Sequence, residues 1–194
     1  MYYRFPLSNV RLRSRNLYLV RKMKIILALI LVSIIVSEFG MRHHELRRRL
    51  SFAPYMVYHN HQYYRFLTWP FIHVSRRHLY TNCAFLWFIA HYGHLSEASA
   101  GLMAFMTAGL SPIPRLLLHT DDPAYKATGI SSIIAAYIYF YALREQIPLL
   151  SALVAVNAIY ELVMVFFRPR GRILYDAHLI GAAVGLVCFI CGIL

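Results

Sequence analysis

The stretch AHLIGAAVGLVCFICGIL, residues 177–194, decides the fold because eighteen consecutive positions carry no Asp, Glu, Lys or Arg. An apolar run of this length is typical of a membrane-spanning helix. Gly181 and Gly185 are four residues apart, so on a helix they form a small-residue stripe that lets a neighbouring helix approach closely. His178 lies just before that stripe. The stretch therefore predicts a membrane helix that packs tightly on a partner and carries a histidine near one end.

The composition of the whole chain supports a membrane protein. Hydrophobic residues make up 59% of the 194 residues and charged residues 14%, against roughly a quarter charged in soluble domains. The net charge of +12 is concentrated in residues 4–24 and 42–49, on both sides of the first apolar segment. Basic residues in those places meet anionic lipid headgroups. We therefore expect a multi-pass protein in a lipid bilayer, the plasma membrane of a bacterium, and no nucleic-acid partner.

Six apolar segments predict an all-α, polytopic bundle of six transmembrane helices. A basic tail, residues 1–21, precedes a membrane domain of residues 22–194. The connection 39–77 mixes aromatic and basic residues, which suits an ordered segment at the membrane interface. The predicted helices are about Lys22–Glu38, His78–Leu95, Ala98–Leu118 with prolines disturbing its end, Ser131–Leu143, Ile147–Phe167 and Ala177–Leu194.

The fourth predicted helix is too short to cross the bilayer. Thirteen residues extend roughly 20 Å, whereas a hydrocarbon core is about 30 Å thick. Arg144 and Glu145 should fix its end at one surface, so its start lies below the other surface. The irregular polar stretch 120–126 before it then needs protein cover or a water-filled cavity. The sequence thus predicts a water-accessible hollow that ends at Ser131.

Polar residues recur at the starts of the second, fourth and sixth helices, which all begin on the same side of the membrane. Such residues are costly in membrane helices and are usually functional. A serine needs a base within hydrogen-bond reach, and His178 reaches Ser131 if helix six packs on helix four. The start of a helix favours a bound anion, so an oxyanion that forms at Ser131 would be stabilised there. His78 and Asn82 share a helix face, and both could donate hydrogen bonds to that oxyanion.

These segments resemble the rhomboid family of intramembrane serine proteases, in order and spacing, over residues 58–194. The family has an aromatic-Arg pair in its first loop, His-x-x-x-Asn on helix two, Gly-x-Ser-Gly at helix four and Ala-His-x-x-Gly-x-x-x-Gly on helix six. Tyr64-Arg65 matches the first motif in part, and His78 to Asn82 matches the second. Gly129-Ile-Ser131-Ser132 matches the third motif except for its last glycine, and Ala177 to Gly185 matches the fourth.

The resemblance implies a serine protease that cuts membrane-anchored protein substrates in or near a transmembrane segment. It implies a Ser–His dyad without a required aspartate, an acyl-enzyme, and no metal or cofactor. In the roles that it implies, Ser131 is the nucleophile and His178 the general base, with an oxyanion hole of His78, Asn82 and the Ser131 backbone N–H, and helix packing at Gly129, Gly181 and Gly185.

Two positions depart from the family's pattern. Ser132 replaces the usual glycine, and Ala135 stands where many members place a tyrosine that stacks on the catalytic histidine. Neither change removes a reacting atom. Two alternatives stay open. One is a catalytically inactive rhomboid-like protein that binds transmembrane segments and controls their stability or traffic. The other is a small transporter, which would need polar residues near the midplane and repeat symmetry.

Other polar residues receive weaker predictions. Asp176 precedes His178 by two residues, so we expect it to point elsewhere, as a cap or loop residue. Glu161 lies within helix five, where it would pair with an arginine or face the cavity, and no specific role is predicted for it. His73 is expected at the membrane interface. The three cysteines lie in apolar runs and are expected to pack there.

Overall fold

The computed structural model describes residues 24–93, 95–167 and 175–193, so the basic tail lies outside the described residues. The described part of the chain is helical and contains no β-strand, which confirms the all-α fold. A 3-10 turn, Trp69–Phe71, separates α4 from α5. The α-helices are α1 Lys24–Arg42, α2 His44–Leu50, α3 Pro54–Asn60, α4 Arg65–Thr68, α5 Arg76–Tyr92, α6 Glu97–Leu110, α7 Ile113–Leu118, α8 Ser131–Glu145, α9 Pro148–Phe167 and α10 Tyr175–Ile190.

Among the described residues, three helical segments are both long and apolar enough to cross a membrane. They are α1, the α6–α7 segment and α9, and α10 is a shorter apolar helix. Helix α9 exposes nearly all of its apolar side chains, since only Val154 and Glu161 of its twenty residues are buried. A helix that is apolar on its outer face fits lipid surroundings. Helices α5 and α8 fall below this length, so the number of six spans stays a prediction.

The helix boundaries differ from the predicted ones where local chemistry intervenes. Helix α1 continues to Arg42, four residues beyond the predicted end. The third predicted helix breaks into α6 and α7 at Ser111-Pro112, because a proline has no N–H to continue the ladder. Helix α8 begins at Ser131 as predicted and is fifteen residues long, which gives about 22 Å. It is therefore shorter than the hydrocarbon core.

Helices α8 and α10 make the closest contact in the bundle. A β-carbon on Gly181 would lie 2.1 Å from the carbonyl oxygen of Ser132, and one on Gly185 would lie 2.3 Å from that of Ala136. Both distances are far below van der Waals contact, so only glycine allows this approach. The stripe on α10 thus rests directly on the backbone of α8.

The connection between α1 and α5 folds into a cap, residues 43–75, made of α2, α3, α4 and the 3-10 turn. Phe52 and Ala127 exchange two backbone hydrogen bonds, of 2.9 and 2.8 Å, between this cap and the irregular stretch before α8. Phe52 is fully buried and Ala127 is 4% exposed. The cap therefore supplies the protein cover that irregular backbone needs near a membrane interior.

A buried arginine holds the cap together. Arg65 is only 3% exposed, and its guanidinium donates to the backbone carbonyls of Arg48 and Ser51, at 2.9 and 2.5 Å. It also donates twice to Oε1 of Gln62, at 2.8 and 2.7 Å. The planar, five-donor head of arginine suits such a set of acceptors. Burial lowers the pKa of Arg65, which lies outside the membrane-spanning helices.

Candidate active site

The first residue of α8 and a residue in the first turn of α10 are in hydrogen-bond contact. Ser131 Oγ lies 2.7 Å from His178 Nε2, and both side chains are half-buried. The contact follows from the glycine stripe, because Gly181, three residues after His178, draws α10 onto α8. The structure thus brings together the serine and the histidine that the sequence analysis placed on one face of the bundle.

A carboxylate from a third helix completes this arrangement. Glu161 Oε1 of α9 lies 2.9 Å from His178 Nδ1, and the Glu161 side chain is buried. Serine, imidazole and carboxylate thus follow one another in the order used by activated serine nucleophiles. From the sequence, Glu161 was expected to pair with an arginine or to face the cavity, without a specific role; it lines the cavity and pairs with a histidine. Its signal was present, since it is the only charged residue in the twenty residues of α9.

The neighbouring acid of α10 serves a different partner. Arg115 Nη2 of α7 donates to Asp176 Oδ1 at 2.5 Å, and both side chains are largely buried. Ser111 Oγ donates to the carbonyl of Ala177 at 3.2 Å. Asp176 points away from His178 as expected, although it lies in the first turn of α10 rather than in a loop. These two contacts hold the start of α10 in place, and they thereby help to position His178 along the axis of the bundle.

The candidate oxyanion residues lie on α5. The side chain of Ser75 caps this helix by accepting the N–H of His78 at 3.3 Å. Asn82 is one turn further on, 5% exposed, and lines the same cavity as Ser131. Its Nδ2 lies 3.0 Å from Nε2 of His73, so one amide hydrogen of Asn82 is engaged away from the serine.

His73 anchors this amide through one defined tautomer. Ser37 Oγ donates to the carbonyl of Phe71 at 2.8 Å, so it accepts the Nδ1–H of His73 at 2.9 Å. His73 Nε2 is then the acceptor for Asn82. The ring of His73, for which the sequence predicted a place at the membrane interface, is fully buried in the connection before α5. Burial lowers the pKa of His73 to about 3, and the ring is neutral.

Gly129 lets the chain pass close over α5 before it enters α8. Its φ is +110°, a conformation that side chains rarely adopt, and an added β-carbon would lie 2.9 Å from Cε1 of His78. Its N–H donates to the carbonyl of Trp69 in the cap at 3.1 Å. The glycine therefore sets the position from which Ser131 projects, between the cap and His78.

The structure shows what surrounds Ser132 and Ala135, the two residues that depart from the family's pattern. Ser132 is 1% exposed, and its Oγ has no hydrogen-bond partner in the described part of the chain. Its carbonyl faces Gly181. Ala135 lies one turn below Ser131 and lines the cavity with His178, so only a methyl group occupies that place. The pair of Ser131 and His178 remains in contact beside both residues.

A cavity of about 470 Å³ opens beside the pair, between α5, α8, α9 and α10. Ser131, His178 and Glu161 lie at one end of it. It follows α8 from Ser131 to Tyr139, a distance of about 12 Å. Its walls are mainly apolar, and they include Phe85, Ile134, Ile138, Leu150, Leu153 and Val154. The arrangement is a mainly apolar groove with the contacting side chains of Ser131, His178 and Glu161 at its polar end.

Fold and site together define a polytopic helical membrane protein with a serine–histidine pair in its interior. The family model of the Rhomboid domain matches residues 60–193. The chain therefore belongs to the rhomboid family, and with its apolar helices it is an integral membrane protein. A search of curated proteins finds no match to this chain.

Proposed function

We propose that this chain is an intramembrane serine protease that hydrolyses peptide bonds in or near transmembrane segments of membrane-anchored proteins. The observation that carries the proposal is the 2.7 Å contact of Ser131 Oγ with His178 Nε2 at the polar end of an apolar groove. In this proposal six units cross the membrane, namely α1, α5, α6 with α7, α8, α9 and α10, and the membrane is the plasma membrane of a bacterium.

Acylation begins with proton transfer from Ser131 Oγ to His178 Nε2. The oxygen attacks the carbonyl carbon of the scissile bond, and a tetrahedral oxyanion forms. His178 then gives the proton to the departing amine, the C–N bond breaks, and an ester on Ser131 remains. The short contact between the two side chains supports this step, because a general base must lie within hydrogen-bond reach of the proton it removes.

The oxyanion would be held at the start of α8 and by donors from α5. The backbone N–H of Ser131 belongs to the unpaired first turn of its helix, where negative charge is favoured. Asn82 lines the same cavity and has a second amide hydrogen besides the one that it donates to His73. His78 would supply the other donor. In many acyl-transfer enzymes, preorganised donors of this kind make the largest single contribution to the rate enhancement.

Hydrolysis of the ester needs water at a site below the membrane surface. The polar stretch 120–126 precedes α8, and the cap pairs with the residue that follows it through Phe52 and Ala127. In this proposal water enters from that side. His178 would take a proton from the water as the water oxygen attacks the ester carbon. It would then give that proton to Ser131 Oγ as the C–Oγ bond breaks, which releases a carboxylic acid product and the free serine. The apolar groove suits an apolar substrate segment, since burying its surface stabilises the complex by about 25 cal/mol per Å².

An inactive rhomboid-like protein that binds transmembrane segments is the competing function. Such a protein has no need for a serine and a histidine in contact inside a membrane bundle, where polar groups are expensive. The intact pair and its carboxylate neighbour favour the protease. Ser132 and Ala135 depart from the family's pattern and count toward the inactive alternative, although neither removes a reacting atom.

A fluorophosphonate serine probe tests the proposal without a known substrate. The purified protein in liposomes is treated with the probe beside Ser131→Ala and His178→Ala, and a generic membrane-anchored substrate is assayed in parallel. We expect labelling of the wild type only, with loss of a catalytic partner lowering the rate by about 10³-fold or more. Labelling that persists in Ser131→Ala, or a wild type that neither reacts nor cuts the substrate, contradicts the proposal.

A further inference from the structure

We infer that Glu161 is a positioning residue for His178, so that this chain uses a Ser–His–Glu arrangement whose carboxylate comes from α9. The inference rests on the proposed function and deepens it. Glu161 Oε1 and Ser131 Oγ contact the two different ring nitrogens of His178, at 2.9 and 2.7 Å. The imidazole is therefore held between the nucleophile and the acid.

The acid determines which tautomer of the ring is present. A carboxylate only accepts hydrogen bonds, so Nδ1 of His178 must carry the hydrogen. Nε2 is then unprotonated and directed at the hydroxyl of Ser131, which is the form a general base requires. When His178 takes the proton from the serine, the negative charge of Glu161 stabilises the imidazolium.

The surroundings of Glu161 give no structural reason for an acid at this place. The side chain is 7% exposed within an otherwise uncharged helix, and Oε2 has no hydrogen-bond partner in the part of the chain described. Its ion-pair partner among the described residues is His178. A buried carboxylate satisfied on one oxygen costs stability that an apolar side chain would not. Its presence is explained by what it does for the histidine.

The ring of His178 has few other restraints. Ala135 presents only a methyl group from the helix turn below Ser131. Among the described residues no aromatic ring stacks on His178. The carboxylate of Glu161 is thus the group that fixes the ring opposite the serine.

This arrangement makes the histidine depend on the position of α9. Only Val154 and Glu161 of this helix are buried, and α9 forms one wall of the apolar groove. Movement of α9 away from α10 would withdraw the acceptor from His178 Nδ1.

The rate of fluorophosphonate labelling tests the inference. The probe forms a bond from Ser131 Oγ to phosphorus, expels fluoride, and passes the serine proton to His178, so its rate reports the base directly. We expect Glu161→Gln and Glu161→Ala to lower the second-order labelling rate by about 100-fold. Glu161→Asp should recover part of the rate, because it restores the charge. Glu145→Gln, which removes a partly exposed acid at the end of α8, should label at the wild-type rate.

Two further readouts separate positioning from packing. An ¹⁵N-edited spectrum of labelled histidine should show a hydrogen-bonded Nδ1–H for His178 in the wild type that is lost in Glu161→Ala. The melting temperature of the isosteric variant Glu161→Gln should equal or exceed the melting temperature of the wild type. Wild-type labelling rates in Glu161→Gln, with Ser131→Ala unlabelled, overturn the inference and leave the protease standing. A wild type that is neither labelled nor able to cut the generic substrate overturns both.

Discussion

The carbonyl oxygen of Ser132 occupies the space where a β-carbon of Gly181 would lie, at a separation of 2.1 Å. This backbone contact sets the distance between α8 and α10. It lies one residue beyond Ser131 on one helix and three residues beyond His178 on the other. The spacing of Ser131 and His178 therefore depends on a glycine that contacts neither side chain's polar atoms.

Substituting Gly181 by alanine should disturb both stability and the reacting pair. The added methyl group meets backbone rather than a flexible side chain, so α10 must shift. We expect a loss of about 1–3 kcal/mol in the free energy of unfolding and a labelling rate lowered by about 100-fold. Gly109→Ala is the matched control, because a β-carbon there meets nothing within 4 Å. Equal losses of stability and of labelling rate in Gly181→Ala and Gly109→Ala would contradict this explanation of the contact.

Alanine substitutions at a second pair of glycines distinguish the cost of backbone strain from the cost of steric crowding. Gly129 and Gly192 both have positive φ, of +110° and +64°, but only Gly129 has a neighbour in the way, His78 Cε1 at 2.9 Å. We expect Gly192→Ala to cost about 1 kcal/mol and to leave labelling unchanged. Gly129→Ala should cost about 3 kcal/mol and reduce labelling, because the segment that delivers Ser131 must move. Unfolding in detergent and probe labelling together measure both effects.

Much of the architecture follows from patterns within single segments. Long apolar runs predicted helices of which three, among the described residues, are long and apolar enough to cross a membrane. The start of α8 was predicted at the correct residue, Ser131. The likeness to the family placed Ser131 and His178 as a pair. These features depend on hydrophobicity and on spacing along one helix, which a sequence displays directly.

The missed features depend on contacts between distant segments. His178 and Glu161 are 17 residues apart on different helices, so their contact depends on how α9 and α10 rotate about their axes. His73 is buried and hydrogen-bonded to Ser37, 36 residues away. The cap consists of helices of four to seven residues, which are not stable alone and form only through tertiary contacts. No periodicity in the sequence reports such arrangements.

The buried ring of His73 should make stability depend on pH. Burial lowers its pKa to about 3, whereas the unfolded chain protonates a histidine near pH 6.5. The folded state is thus favoured fully above about pH 6.5, and its stability falls as the pH drops from there toward 3. His73→Gln should flatten this dependence. Melting temperatures between pH 7 and pH 4 test it, with exposed His61→Gln as the control that keeps the wild-type slope.

The pair of Arg115 and Asp176 should stabilise the start of α10 and, through it, the position of His178. Both side chains are largely buried, so removing one partner takes away the ion pair that offsets the burial of the other charge. We expect Asp176→Asn or Arg115→Leu to cost about 3–5 kcal/mol and to slow labelling.

The double variant Arg115→Leu with Asp176→Leu removes both charges, and it should recover most of the stability lost in either single variant. A double-mutant cycle in chemical unfolding measures this coupling, while labelling reports whether His178 has returned to Ser131. Additive losses in the cycle would show that the two side chains act separately, and would place the control of α10 in the hydrogen bond from Ser111 to Ala177 instead.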